Sequence, residues 1–224
     1  MRRWVRGNSL SLFFLVLFLV TLAGQSQASW RAYRDEQLAH HQPAGTYAGY
    51  LVSPDFSSKV MENWQSEFLQ FTLYIVATVW LIQRGSSESK EQGREGGQSD
   101  EEQRIGGYAG ARSPLWARVG GWRTAIYSNS LVIVMTVIFF GSWFAQSLTG
   151  VAQYNQAQAE HHQAAVNWMT YVHEPDFWDA TLQNWQSEFL AVGTMAIFSV
   201  YLRQRGSPES KPVGAAHDET TSNE

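Results

Sequence analysis

Apolar residues in this chain are gathered into four runs: Ser9 to about Ala28, about Glu67 to Gln83, Ser130 to about Thr149, and about Glu188 to Leu202. The segments between them are strongly polar, so the mean hydropathy of -0.27 hides the pattern, which only a window of about 20 residues brings out. The first and third runs approach the roughly 20 residues that cross a bilayer as helix. The second and fourth, counted from Phe68 and Phe189, hold about 16 and 14 uncharged residues, some 24 and 21 Å of helix against a hydrocarbon core of about 30 Å. Their flanking charges must then sit at the boundary. The expected fold class is all-α: a polytopic membrane protein of four transmembrane helices.

The four runs are two copies of one hairpin. Sliding the chain by 121 positions lays Asn8–Lys90 on Asn129–Lys211 without a gap, and about two in five positions are identical, far beyond coincidence. The domain reading follows. Residues 1–84 form a first hairpin with spans at about 9–28 and 66–83; 85–112 are a disordered cytoplasmic linker; 113–128 carry an interfacial helix; 129–205 form the second hairpin with spans at about 130–149 and 187–203; 206–224 are a disordered cytoplasmic tail. Arg2, Arg3 and Arg6 before the first run would also suit a signal peptide. Its copy, Ser130–Thr149, lies mid-chain where no signal peptide acts, which favours a retained span.

Charge sets the orientation. Of the 16 Lys and Arg, all but Arg31, Arg34 and Lys59 lie in the N-terminus, linker and tail, so both termini are expected on the cytoplasmic side. An even number of spans per copy gives both copies the same orientation. Tryptophans such as Trp30, Trp80, Trp122 and Trp185 lie near the run ends, as in an interfacial belt. The chain has no cysteine, which excludes disulfides, thiolate metal sites and thioether haem attachment. Its net charge of -4 leaves no nucleic-acid footprint.

The clearest repeated blocks are Asn63-Trp64-Gln65-Ser66-Glu67-Phe68-Leu69 against Asn184-Trp185-Gln186-Ser187-Glu188-Phe189-Leu190, and Gln83-Arg84-Gly85-Ser86 against Gln204-Arg205-Gly206-Ser207. Each of the latter continues as x-Glu-Ser-Lys. These paired motifs resemble a bacterial membrane-protein family of unknown function. The resemblance spans both copies and implies a place in the bacterial cytoplasmic membrane, with the lipid bilayer as the principal partner and a further membrane protein or a second copy as another. It implies no activity, substrate or cofactor.

Chemistry-bearing residues are few. Glu67 and Glu188 sit at span boundaries, where a carboxylate is costly unless paired, protonated or wetted. Counting inward from Asn8 and Arg84 puts Gln25 level with Glu67, and Gln146 level with Glu188, so a buried amide-to-carboxylate clamp is expected; the competing use is proton or cation handling. Tyr33, Gln37, His40 and His41 fall on one broad face of a helix continuing the first span, and Tyr154, Gln158, His161 and His162 repeat it. The histidine pairs, with Asp55 and Asp176 nearby, admit a metal or pH-responsive reading. Adjacent histidines on a helix point about 100° apart, which suits solvated helix ends better than one shared ion. Asn8 and Asn129 read as helix N-caps, and Gly85 and Gly206 as C-terminal caps after Arg84 and Arg205. No phosphate loop, nucleophile elbow or zinc-protease motif occurs, so soluble enzyme chemistry has no anchor. The expected role is structural or accessory. A small transporter using Glu67 and Glu188, or a metal-binding membrane protein using the histidine pairs, are the alternatives.

Overall fold

The computed structural model describes residues 2–43 and 45–220. Over them the chain is all-helical, with no strand among the described residues. The elements are α1 (Arg2–Gly7), α2 (Ser9–Ala39), α3 (Tyr47–Leu51), α4 (Pro54–Trp80), α5 (Leu115–Arg118), α6 (Gly121–Ser128), α7 (Ser130–Glu160), α8 (Trp168–Tyr171) and α9 (Pro175–Tyr201). Met1 and the last four residues of the expected tail lie outside the described residues.

The duplication is visible in the element boundaries. α2 and α7 are both 31 residues long and α4 and α9 both 27, each pair starting 121 positions apart. At about 1.5 Å per residue, α2 and α7 run some 46 Å, so the apolar run of each continues as one helix well beyond its last apolar residue. Both are long and apolar enough to cross a membrane. α4 and α9 begin at Pro54 and Pro175, whose fixed φ and missing N–H suit a first helical turn. Each therefore joins a polar first half to an apolar second half without a break.

Two local expectations are corrected. Asn8 makes no side-chain cap to α2. Its amide donates backwards to the Trp4 carbonyl at 2.8 Å, and Asn129 does the same to Ala125 at 2.8 Å. Both asparagines close the helix before them, because a short helix leaves end carbonyls that a side-chain N–H four residues on can reach. Nor do Gly85 and Gly206 end α4 and α9, which stop at Trp80 and Tyr201. With φ of +82° and +84°, they instead turn the loop that follows, where Ser86 N–H meets the Gln83 carbonyl and Ser207 N–H meets Gln204. The interfacial-helix segment forms two short helices, α5 and α6, parted by Gly120 and Gly121 at φ +70° and +64°.

The chain divides into two compact units, Met1–Val60 with Gln146–Trp168, and Met61–Ala145 with Met169–Glu224. In the first, Tyr50 is the buried centre, its ring 5.1 Å from Tyr33 and 5.5 Å from Phe56. Tyr47 bonds Ser26 at 2.7 Å and packs edge-on against Trp30, which ties α3 to α2. Asn155 holds the Val166 backbone with two bonds of 2.8 Å. The core of the second unit is aromatic. Trp143 stacks between Phe139 and Phe177 at 5.7 and 6.2 Å, and Trp185 lies 5.6 Å away at a tilt, arrangements that ring quadrupoles favour.

Candidate functional site

The four clamp residues fall in different surroundings. Gln25 is half-buried on α2 and Gln146 fully buried on α7, both in the first unit; Glu67 is exposed on α4 and Glu188 half-buried on α9, both in the second. Glu67 lies within Coulombic reach of Glu188, so the second unit does bring the two equivalent carboxylates into one neighbourhood. The buried Gln146 side-chain oxygen has no hydrogen-bond partner among the described residues.

Gln65, two places before Glu67 in the motif, is fully buried as well; its oxygen accepts the Trp185 indole N–H at 2.6 Å, while its Nε2 has no hydrogen-bond partner among the described residues. Trp185 belongs to the second copy of the motif that supplies Gln65. The copies are used unequally, since Trp64 and Gln186 are exposed.

The His-His-Gln repeats are helix ends. His41 and His162 both take φ of 56°, the left-handed conformation that closes a helix. Gln42 N–H returns to the Gln37 carbonyl at 2.8 Å and His41 N–H to Leu38 at 3.1 Å; Gln163 and His162 do likewise with Gln158 and Ala159. This double bond pattern is the Schellman motif, in which the carbonyls left over at a helix end are recovered. All four histidine side chains are exposed, and no three potential ligands among the described residues are placed to share a metal.

Asp55 is the organising acid of the first unit. From the first turn of α4, its carboxylate accepts from Tyr50 Oη at 2.8 Å, Lys59 Nζ at 2.8 Å and Gln153 Nε2 at 3.0 Å. Burial, reinforced by the bond to Asp55 and its charge, raises the Tyr50 pKa well above the usual phenol range. The phenol therefore stays a donor. The counterpart Asp176 is exposed. Beside Asp55 a cavity of about 110 Å³ opens among α2, α4 and α7.

A second polar centre lies where the two Gln-Arg-Gly-Ser-x-Glu-Ser-Lys loops meet in the second unit. The loops fold alike: Ser89 Oγ accepts from Gln83 N–H at 3.0 Å, and Ser210 Oγ from Gln204 N–H at 2.9 Å. Each closing lysine gathers carbonyls. Lys90 donates to Gly96 at 2.8 Å, whereas the buried Lys211 reaches Ala216 and His217 at 3.0 Å and Glu219 at 2.9 Å. Burial and the neighbouring Arg203 lower the Lys211 pKa.

Where the loops meet, several contacts join one copy of the repeat to the other. Ser86 and Ser199 share a buried hydrogen bond of 2.7 Å, and Ser87 donates to the Glu209 carbonyl at 2.8 Å. Glu88 and Glu209, equivalent residues of the repeat, are hydrogen-bond neighbours, and Tyr74 donates to Glu88 at 2.8 Å. Burial raises the Glu88 pKa, the Tyr74 bond opposes it, and the bond to Glu209 with its charge adds to the rise. Two carboxyls in contact keep a proton between them more readily than either would alone. Motif reading missed this pair. The available signal was its presence at the same place in both copies, since residues near a pseudo-twofold axis meet their own equivalents.

A family model matches residues 1–222 and is described as a domain of unknown function, DUF6766. The chain belongs to the DUF6766 family. The match takes in both copies of the sequence repeat and the segment between them, so the DUF6766 unit is the whole duplicated stretch and not one copy. No curated protein and no solved structure matches this DUF6766 chain.

Proposed function

We propose that this chain is a multi-pass protein of a bacterial cytoplasmic membrane, crossing it four times with both termini inside, and that its role is structural or accessory and non-enzymatic. The observation that carries the membrane reading is an apolar surface with nothing over it. Every residue from Phe13 to Val20 on α2 is at least 42% exposed, and Leu131, Val134, Val137, Phe140 and Phe144 are similarly bare on α7. The second halves of α4 and α9 are bare too, at Phe71, Leu73, Val76, Leu190, Ile197 and Phe198. Such a surface greatly exceeds the few hundred Å² of contiguous apolar patch that a monomer in water carries. Lipid is the solvent that suits it, and exposed backbone is no obstacle because a helix satisfies its own N–H and C=O groups.

The structural role is supported by where the polar side chains go. Asp55, Lys211 and the serines of the two loops spend their hydrogen bonds on the chain itself. Thr72, Thr78 and Ser199 also donate to carbonyls of their own helices, so they offer little to a path through the spans.

One observation favours transport as a second reading: the Coulombic proximity of Glu67 and Glu188. Two carboxylates at a span boundary are a recognised device for moving protons or cations. Reconstitution in proteoliposomes decides between the readings. The structural role predicts no proton or sodium flux above empty vesicles for the wild type, and unchanged leak in Glu67→Gln and Glu188→Gln. A wild-type flux abolished by either substitution would establish transport instead.

A further inference from the structure

We propose that the cavity beside Asp55 is a binding site for a small organic cation carrying primary ammonium groups, with an alkyl diamine as the class it fits best. The walls are acidic and amide-rich: α2 brings Glu36 and Gln37, α4 brings Asp55, and α7 brings Gln153, Gln156 and Glu160.

The charges on these walls do not cancel. Asp55 is neutralised by Lys59 at 2.8 Å, and the nearest arginine on α2, Arg34, is held by Asp35 at 3.1 Å. Glu36 and Glu160 have no ion-pair partner among the described residues. One stands on each of the two long helices that line the cavity, leaving an unmatched negative charge on each.

Gln37 is the independent pointer to a ligand. It is only 4% exposed and lines the cavity, yet its side-chain amide makes no hydrogen bond among the described residues. The Gln37 amide is not sealed in the protein interior but opens onto the cavity, where a ligand can supply the partner that the chain does not. Its repeat equivalent shows what is missing: Gln158 donates to the Tyr154 hydroxyl at 3.2 Å. In the first copy Tyr33 is drawn against the Tyr50 ring instead, 5.1 Å away, so Gln37 is left facing the cavity without it.

The donor set selects an organic cation over a metal ion. No three carboxylates or histidines among the described residues converge as one ion requires, and amide oxygens are weak substitutes. Carboxylates held apart on two helices suit a ligand whose charges are also apart. An ammonium presents three N–H donors, which match a carboxylate together with the Gln37 oxygen, and the cavity of about 110 Å³ restricts the chain between the charges to a few methylenes.

Isothermal titration of the full chain in lipid nanodiscs with 1,4-diaminobutane tests the site. Saturable binding is expected, at least tenfold tighter than for 1-aminobutane, and weakened at least tenfold by Glu36→Gln with Glu160→Gln and by Gln37→Leu. Glu101→Gln, an exposed acid of the linker, should leave the affinity unchanged. The exposed position of Glu36 makes Glu36→Gln alone a variant that folds, and it should weaken binding severalfold. The proposal is overturned if the wild type shows no saturable diamine binding, if binding survives these substitutions, or if calcium chloride binds at the same residues and displaces the diamine.

Discussion

Gly85→Ala will destabilise the protein by about 3–5 kcal/mol, whereas Gly206→Ala at the equivalent place in the second motif will cost about 1–2 kcal/mol. Both glycines have φ near +80°, so each alanine meets the same left-handed penalty. Only at Gly85 does a neighbour occupy the space a Cβ needs. That atom would overlap the His217 carbonyl oxygen and come within 3.2 Å of Val200 Cγ1, whereas nothing lies within 4 Å at Gly206. The carbonyl cannot retreat freely, because its oxygen already accepts from Lys211 at 3.0 Å. Thermal unfolding in detergent should show a fall of about 10 °C for Gly85→Ala and a few degrees for Gly206→Ala. Equal shifts would mean that the chain does not come this close to Gly85.

Lys211→Ala will release the segment that follows it, at a cost of about 2–4 kcal/mol to that segment. Lys211 is 2% exposed and its ammonium donates to three carbonyls, while Arg203 adds a bond to Ala215 at 3.1 Å and Gly85 N–H another to the Thr220 hydroxyl at 2.9 Å. Hydrogen bonds from a charged donor are stronger than neutral ones, and without this donor three carbonyls would be left facing one another. Lys90→Ala, which removes a single bond to Gly96, should cost about half as much or less. Hydrogen exchange at Ala215, Ala216 and Glu219, whose N–H groups are hydrogen-bonded, reads this directly: amide protection should collapse in Lys211→Ala and persist in Lys90→Ala. Undiminished protection in Lys211→Ala would show that the segment does not depend on the lysine.

The fold was legible where the chain repeats itself. An offset of 121 residues in the amino-acid sequence carries over to every long helix, and Pro54 and Pro175 mark the starts of α4 and α9. Helix ends were less legible, because a residue's type admits several caps. An asparagine before an apolar run can cap the next helix or close the last one, and Asn8 and Asn129 do the second. A histidine pair at helical spacing looks like a ligand set until the backbone at His41 and His162 turns left-handed.

The polar centres were harder still. The Asn-Trp-Gln blocks are identical in both copies, yet Gln65 is buried against Trp185 while its equivalent Gln186 is exposed, since packing need not treat two copies alike. Asp55 and Asp176 part company in the same way: one gathers three donors, the other faces outward. The two Glu-Ser-Lys motifs gave no chemical signal in isolation. Their significance depends on Glu88 meeting Glu209, a contact separated by the whole repeat.

The measurement that bears most directly on the proposed four-span topology is cysteine accessibility in intact cells, made clean by the absence of native cysteine. Single cysteines at Glu95, Gly45 and Val166 are to be challenged with a membrane-impermeant maleimide before and after permeabilisation. Gly45→Cys and Val166→Cys are expected to label from outside, and Glu95→Cys only once the membrane is opened. Labelling of Glu95→Cys in intact cells, or protection of either hairpin position, would contradict four spans with both termini inside.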